Sequence, residues 1–357
     1  MMTLTQRKIE ILQAFEKAQS IAFAPFVFQA VVAAKESGLL QALGESETAL
    51  SIDALAQKTK LSQYAVTVLC DILAASEVIE CDENHAYRLS RVGECLIYDR
   101  MTEVNFDFSD RVNYAPLKHT LEALKTGRAA GLKEYDANWQ TIYPHLKDLP
   151  KDSRKAWFAF DHFHSDSAYQ AALNILKTRP VRYFVDIGGN TGRFTKKALA
   201  TWPESRACIV DLPEQIELMR QNPDLKSLQD RIDTVPINWL DPDAQPLIKE
   251  KVDLIWMSQF LDCFSRAEAV SILKRVKNLA RQNGATVAIL EPLVDHQRNR
   301  AATLSIACSS LYFSCLANGN SKFFSSEELQ GIINESGLVV ESVHEPIGVG
   351  HSLYICG

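Results

Sequence analysis

The segment Y-F-V-D-I-G-G-N-T-G-R-F at residues 183–194 decides the fold of this chain. Its first five residues are mostly apolar, as in a buried strand, and a helical pattern begins at Thr195. Between them the chain turns on Gly188 and Gly189, where glycine lets the backbone come close to a ligand. Parallel α/β sheets bind nucleotides at such a turn, outside the carboxyl end of the first strand. The segment therefore predicts a nucleotide-type site at the start of an α/β domain.

Strand and helix patterns alternate from residue 181 to the carboxyl terminus. This alternation predicts the α/β class, with a Rossmann-like doubly wound, mostly parallel sheet and helices on both faces at residues 181–357. The strand candidates are residues 183–187, 206–211, 232–238, 252–257, 286–291, 339–343 and 351–356.

The first half of the chain has a different pattern. Residues 1–105 are predicted to be mainly helical, with a cap at Ser51 and a hairpin near 78–89. Three helices followed by a hairpin are typical of a winged-helix domain. The apolar run at 21–34 is predicted to be one buried helix that packs against a second copy of the chain. Residues 106–180 are predicted to be a helical bridge that contributes to a substrate cavity. One helix of this bridge is predicted at 114–127, with Gly127 as its end.

Composition excludes several classes of partner. The formal net charge is −6, and residues 35–100 carry six Lys or Arg against eleven Asp or Glu. The candidate recognition helix at 61–76 has no basic residue, so we expect no nucleic acid to bind. The run at 21–34 is too short to cross a membrane. The eight cysteines lack C-x-x-C spacing, which argues against a metal site and a disulfide framework. A cytoplasmic protein without a metal is expected.

The acids at the strand ends indicate which nucleotide-type ligand binds. Asp211 ends the second strand candidate, 25 positions after Asp186, where a carboxylate can accept from both ribose hydroxyls. The turn lacks the G-x-G-x-x-G spacing for a pyrophosphate, and no G-K-[ST] follows for a triphosphate. A ligand with adenosine but no phosphates fits these features, which points to S-adenosylmethionine.

From about Phe23 onward, the chain resembles the class I S-adenosylmethionine-dependent methyltransferases of small molecules. It is most similar to O-methyltransferases that carry an amino-terminal winged-helix dimerisation domain. The resemblance rests on V-D-I-G-G-N-T-G, the Asp211-Leu-Pro turn, F-L-D-C-F-S-R-A-E-A-V-S-I-L-K-R-V and S-S-E-E-L-Q-G-I-I-N-E-S-G-L. It implies a homodimer in which the glycines pass the methionyl part, Asp211 holds the ribose, and Asn238 and Trp239 flank the adenine. Trp239 as a plain core residue is the alternative. The implied cofactor residues are Asp186, Gly188, Gly189, Asn190, Gly192, Asp211, Leu212, Asn238, Trp239 and Ser258.

The catalytic positions depart from this family. The family has a Leu-His-Asp-Trp run whose His takes the substrate proton, and Asp262 of Leu261-Asp262-Cys263-Phe264 stands in its place. Glu291 matches the carboxylate that steadies that His. An ordinary Asp titrates about six units below a phenol, so proton transfer to it costs roughly 8 kcal/mol.

Three arrangements would remove this difficulty. Burial beside Glu291 could raise the pKa of one carboxylate. His162 or His164 could be the base, with Asp262 orienting it. The nucleophile could be acidic already, or a ring carbon ortho to a hydroxyl. The alternative to all three is that Asp262 is a helix-start residue that competes with Ser265 as the cap.

The resemblance also implies a cavity suited to a flat aromatic substrate. A further family carboxylate falls on Phe323, which makes that lining more apolar. The candidate substrate residues are Phe158, His164, Phe313, Phe323 and, within Tyr114-Ala-Pro-Leu-Lys118-His119, Tyr114 and His119. The implied function is O-methylation of a phenolic or heteroaromatic small molecule, with Asp262, Glu291 and His162 as catalytic candidates. The alternatives are C-methylation of an aromatic ring and a cofactor-binding regulator or assembly protein that has lost catalysis.

Overall fold

A computed structural model describes residues 4–357, which form two compact units. The first unit ends at Phe106, and the second comprises Asp107–Gly357. The predicted bridge at 106–180 thus lies almost wholly in the same unit as the sheet. Its separation from residues 181–357 as a part of its own stays a prediction.

The first unit has the helices and the hairpin predicted from the sequence. Ser51 and Ser62 each accept a hydrogen bond at 3.2 Å from the backbone N–H three residues later, which fixes the starts of two helices. The hairpin turn is held by Asp82, whose Oδ1 accepts from the N–H groups of Asn84 and Ala86. The elements are α1 (Leu4–Ala22), α2 (Ala24–Glu36), α3 (Leu39–Gly44), α4 (Ile52–Thr59), α5 (Gln63–Ala75), β1 (Ile79–Cys81), β2 (Tyr87–Leu89), α6 (Arg91–Tyr98) and α7 (Arg100–Phe108), the last of which extends past the unit boundary.

The prediction of a single helix at 21–34 was wrong, and its packing against a second copy of the chain stays a prediction. The chain bends between α1 and α2, and Phe23 and Phe26 at this break are 54% and 66% exposed. Pro25 lies in the first turn of α2, where its missing N–H costs nothing. No single helix in the described range 4–357 is long and apolar enough to cross a membrane. Two helices joined by a bend, residues Arg7–Ala22 of α1 and Ala24–Glu36 of α2, are together long and apolar enough for a span, by length and composition only.

The start of the second unit contains several short turns and one long helix. The single helix predicted at 114–127 was wrong in its first half, because Pro116 begins a 3₁₀ turn, Pro116–His119, before α8 (Thr120–Thr126). Gly127 ends α8 in the left-handed conformation with φ 63°, as its position predicts. The long helix is α9 (Lys151–Leu176).

A seven-stranded sheet forms the centre of the second unit, with strand order β5-β4-β3-β6-β7-β9-β8. The first five strands in this order run parallel, and β9 and β8 are antiparallel to their neighbours. This confirms the predicted Rossmann-like class. The strands are β3 (Tyr183–Ile187), β4 (Arg206–Asp211), β5 (Ile232–Pro236), β6 (Leu254–Ser258), β7 (Thr286–Pro292), β8 (Val340–Ile347) and β9 (His351–Cys356).

Helices cover both faces of this sheet. Residues of β3 alternate between two apolar cores, since Phe184 packs with Leu173 of α9 and Val185 packs on the side of α12 and α14. Burial on both faces explains why β3 reads as a continuous apolar run. The helices are α10 (Arg193–Thr201), α11 (Pro213–Arg220), α12 (Arg266–Asn283), α13 (Arg300–Tyr312) and α14 (Ser326–Ser336).

Candidate active site

A cavity of about 420 Å³ opens at the carboxyl ends of the parallel strands β3, β4 and β6. The βα turns of such a sheet meet at one edge, so residues far apart in the chain become neighbours there. Helix α9 and the residues around the end of α13 complete the wall. The whole cavity lies within the second unit.

The glycine turn after β3 forms one side of the cavity. Gly188 has φ 69°, Asn190 has φ 49° and Gly192 has φ 78°, and all three angles belong to the left-handed region. A Cβ atom on Gly188 would lie 2.4 Å from the ring of Phe260, and one on Gly192 would lie 2.5 Å from Leu225. Glycine is therefore required at both positions by backbone conformation and by packing.

Asp211 is fixed by the same turn. Its two carboxylate oxygens accept hydrogen bonds from the N–H groups of Asn190 at 2.8 Å and Leu212 at 2.7 Å. Burial outweighs these bonds and raises the pKa of Asp211 to about 6. Asp186 accepts from the Thr195 hydroxyl at 2.5 Å, and burial raises its pKa to about 7. Each oxygen of Asp211 keeps a second lone pair for a hydroxyl donor.

Trp239 forms a further part of the wall. Its ring is 4% exposed and belongs to the core, and it also lines the cavity. Arg275 lies 5.0 Å from the ring centre and donates to the Trp239 carbonyl at 2.6 Å. The indole Nε1 has no hydrogen-bond partner in the described part of the chain. Trp239 is thus a core residue whose placement also leaves a cavity-facing surface.

Asp262 lies in the short 3₁₀ turn Leu261–Cys263, and its side chain faces the cavity. The residue is 2% exposed, and burial raises its pKa to about 7. Ser265 caps α12, in a capping box with Glu268. Asp262 therefore does not cap this helix, and Ser265 does.

Glu291 at the end of β7 supports this turn from below. Its Oε1 accepts from the N–H groups of Phe260 at 3.0 Å and Leu261 at 2.9 Å. Its Oε2 meets no N–H or O–H donor among the described residues, and its side chain faces that of Asp262. Two such oxygens can hydrogen-bond only if one carboxyl group keeps a proton. Burial, and then the charge of Asp262, raises the pKa of Glu291 well above its usual range, and burial raises that of Asp262, so the pair retains a proton.

The carboxyl group of Asp161 on α9 also lines the cavity. Its side chain is 27% exposed and accepts from the Asn190 amide at 3.2 Å. Burial, and then the charge of Asp262, raise the pKa of Asp161 to about 7. No role was predicted for Asp161 from the sequence. The four-residue spacing of Trp157, Asp161, Ser165 and Tyr169, all of which line the cavity, is the signal that could have found it.

His162 contacts the glycine turn after β3. Its Nε2 lies 3.0 Å from the Thr191 hydroxyl and 4.0 Å from Asp161. Burial lowers the pKa of His162 to about 4, so the ring is neutral at pH 7. The alternative that Asp262 orients His162 is not what the structure shows. Asp262 interacts with Glu291 and accepts a hydrogen bond from the Cys263 thiol at 3.5 Å.

Aromatic rings form the rest of the wall. Phe108 stacks on Phe160 with ring centres 4.0 Å apart, and Phe313 meets Phe323 edge-on at 5.0 Å. The predicted substrate residues Phe313 and Phe323 thus do line the cavity. Four others lie outside its lining, namely Tyr114, His119, Phe158 and His164. His119 instead pairs with Glu134 at 2.7 Å, and His164 packs on Phe160.

Comparison with known proteins identifies the family. Residues 150–338 match the model of the O-methyltransferase domain, and residues 16–85 match that of the Dimerisation2-like domain. The chain belongs to the O-methyltransferase domain family. It is an S-adenosylmethionine-dependent methyltransferase, as the sequence predicts.

Relatives of this methyltransferase are distant in sequence and cover most of its length. It is 24% identical to the 3-amino-4-hydroxybenzoate 4-O-methyltransferase of Streptomyces cremeus over 80% of this chain and 73% of the relative. The solved structure of the mitomycin 7-O-methyltransferase MmcR matches 98% of this chain and 99% of its own, at 20% identity and a TM-score of 0.72. Human N-acetylserotonin methyltransferase, solved with S-adenosylmethionine, matches 96% and 97% at 17% identity and a TM-score of 0.67.

The residues of this O-methyltransferase-family cavity fit the cofactor. Gly188, Gly189 and Asp211 line the cavity together, and Asn190 Oδ1 and Ser258 Oγ are buried without a hydrogen-bond partner among residues 4–357. Nine of the ten predicted cofactor residues line the cavity, and Gly192 lies behind the turn. The nine are Asp186, Gly188, Gly189, Asn190, Asp211, Leu212, Asn238, Trp239 and Ser258. Their individual roles stay predictions.

Proposed function

We propose that this methyltransferase methylates the hydroxyl oxygen of a phenolic or heteroaromatic small molecule, with Asp262 as the proton acceptor. The observation that carries the proposal is the Asp262–Glu291 pair, which opens on a cavity walled by aromatic rings. Flat rings pack well against such a lining.

The raised pKa of Asp262 removes much of the difficulty of proton transfer. A pKa of about 7 leaves a gap of roughly three units to a phenol, which corresponds to about 4 kcal/mol. Glu291 stays protonated and donates to Asp262, so the pair carries one negative charge and accepts one proton. The Cys263 thiol donates to Asp262 Oδ1 at 3.5 Å and helps to orient the carboxylate.

S-adenosylmethionine supplies, when bound, an electrophilic methyl group on a sulfonium sulfur. Gly188 and Gly189 would pass its methionyl part, and Asp211 would accept from its ribose hydroxyls. Phe313 and Phe323 hold the substrate ring so that its oxygen lies near Asp262. Orientation and the removal of one proton are the contributions of the chain.

The N-terminal unit supports a homodimer as part of the proposal. It contains the Dimerisation2-like match at 16–85, and Ile11, Leu12 and Phe15 on α1 are each 61% exposed. Apolar surface of this kind is usually covered by a partner. Leu12→Glu is expected to shift the protein toward monomer in light scattering. Leu247→Glu, at an exposed leucine of the second unit, is the matched control, and an equal shift in both variants would contradict this interface.

The function is tested with S-adenosylmethionine labelled in its methyl group and a panel of phenols and hydroxylated heterocycles. Nuclear magnetic resonance of the product separates an aryl methyl ether from a methyl group on a ring carbon. The expected product is the ether. Cofactor binding without label transfer to any member of the panel would refute the substrate class.

A further inference from the structure

Gln259, the residue directly after β6, lies in a conformation that is unusual for its type. Its φ is +47°, in the left-handed region, which costs a non-glycine residue roughly 1–2 kcal/mol. The surrounding structure maintains it, because the Gln259 N–H donates to the Leu290 carbonyl at 2.9 Å. Strained residues of this kind are concentrated at functional sites, and Gln259 lines the cavity.

The side chain of Gln259 is held by His351 at the start of β9. His351 Nε2 lies 2.9 Å from Gln259 Oε1, and His351 is 2% exposed. Burial lowers the pKa of His351 to about 3, so the ring is neutral and carries one N–H. Its Nδ1 has no partner among the described residues.

The unpartnered Nδ1 settles which way the hydrogen bond runs. A proton on Nδ1 would be a buried donor without an acceptor, which is rarer and costlier than an unused lone pair. The proton therefore lies on Nε2, which donates to Gln259 Oε1. The amide NH₂ group of Gln259 makes no hydrogen bond in the described part of the chain, and Gln259 lines the cavity, so this group is available to a ligand there.

We infer that Gln259 donates a hydrogen bond to a neutral carbonyl group on the aromatic substrate, and that His351 is the positioning residue that fixes the Gln259 amide. The inference rests on the proposed function and names its substrate class more closely. Asp161 and Asp262 accept hydrogen bonds from the cavity wall, whereas Gln259 offers donors. The two carboxyl groups would repel a carboxylate, so a hydroxylated ring with a ketone, aldehyde or amide carbonyl fits the arrangement.

Binding calorimetry tests the inference without turnover. The 2-, 3- and 4-hydroxyacetophenones are titrated into the protein with S-adenosylhomocysteine present, each paired with the ethylphenol that lacks the carbonyl. For at least one isomer, the ketone should bind about 10-fold more tightly, a difference typical of one buried hydrogen bond. Gln259→Leu should remove this preference and leave ethylphenol affinity within about twofold.

Two variants of His351 separate positioning from general structure. His351→Gln keeps an N–H donor for the Gln259 oxygen and should retain the preference for the ketone, whereas His351→Leu should lose it. A structural defect alone would weaken both ligands together.

Three results would overturn the inference. They are an unchanged ketone preference in Gln259→Leu, a wild-type preference for the ethylphenols, and equal weakening of both ligands in His351→Leu. A ketone preference that Gln259→Leu removes, in a protein that methylates no phenol, would support this inference and refute the proposed function.

Discussion

Glu291 accepts hydrogen bonds from the backbone turn that carries Asp262, and its second oxygen faces the Asp262 carboxyl group. One residue thus fixes both the position and the charge of the other. Burial raises the pKa of both carboxyl groups, so one proton is retained by the pair near neutrality.

Asp262→Asn removes the proposed proton acceptor and preserves its shape. The turnover number should fall by about 10²- to 10⁴-fold, the range for loss of a general base. S-adenosylhomocysteine affinity by calorimetry should stay within about twofold, since no cofactor contact is changed. Asp230→Asn, at an exposed carboxylate, is the control. Full activity of Asp262→Asn would exclude Asp262 as the base.

Glu291→Gln tests whether Glu291 is protonated. Glutamine can accept from Phe260 and Leu261 and donate to Asp262, as the protonated acid does, so turnover should stay within about tenfold of wild type. Glu291→Leu leaves two buried N–H groups unpaired and should lower the free energy of unfolding by about 1–3 kcal/mol. Equal loss of activity in both variants would show that the Glu291 charge, rather than its proton, is needed.

The turnover number should rise with pH through about 7, because Asp262 accepts a proton only when ionised. Repulsion between Asp161 and Asp262 is mutual, so Asp161→Asn should lower the pKa of Asp262 and move this limb of the profile to lower pH. This shift is measured from stopped-flow single-turnover rates of wild type and Asp161→Asn between pH 5 and 9. A profile that does not change with Asp161→Asn would mean that the two groups are not coupled.

Two left-handed glycines provide a matched pair of variants. Gly188→Val should abolish cofactor binding, because its Cβ would meet Phe260 at 2.4 Å in the cavity wall. Gly284→Val, at φ 67° with no atom near the added Cβ, carries the backbone cost without the collision. It should lower stability by about 1–2 kcal/mol and leave cofactor affinity unchanged. Equal binding in the two variants would refute the assignment of the turn.

The effect of replacing Asp262 on stability should depend on pH. The pKa of Asp262 rises from 3.8 to about 7 on folding, so its contribution to stability is fully present below pH 3.8 and is lost as the pH rises through about 7. Asp262→Asn should therefore raise the melting temperature relative to wild type more at pH 8 than at pH 5. A difference independent of pH in scanning calorimetry would contradict the raised pKa.

The parts of the fold that depend on local pattern were predictable from the sequence. The apolar run before Gly188 predicts β3, and the regular alternation after it predicts the sheet, because burial on both faces leaves a signal within a few residues. The caps at Ser51 and Gly127 are equally local. Pro116 shows the limit, since helical spacing around it concealed the lost N–H that starts a 3₁₀ turn.

The cavity was less predictable, because its walls depend on which face of a helix turns inward. On α9, Phe158 and His164 were predicted to touch the substrate, whereas Phe160 and Asp161 line the cavity. One position along a helix turns a side chain by about 100°, so composition alone could not choose between them. The contact of Gln259 with His351 joins residues 92 positions apart and leaves no sequence signal.

Four carboxyl groups with pKa values raised to about 6 or 7 line the cavity at the carboxyl ends of the strands, namely Asp161, Asp186, Asp211 and Asp262. Near neutral pH these four groups are therefore partly protonated. The positive sulfonium group of S-adenosylmethionine would lower these pKa values, so its binding would release protons. The uncharged thioether of S-adenosylhomocysteine would not. A higher pH therefore favours binding of S-adenosylmethionine over S-adenosylhomocysteine. The pH of the solution thus influences how readily the product is exchanged for a new methyl donor.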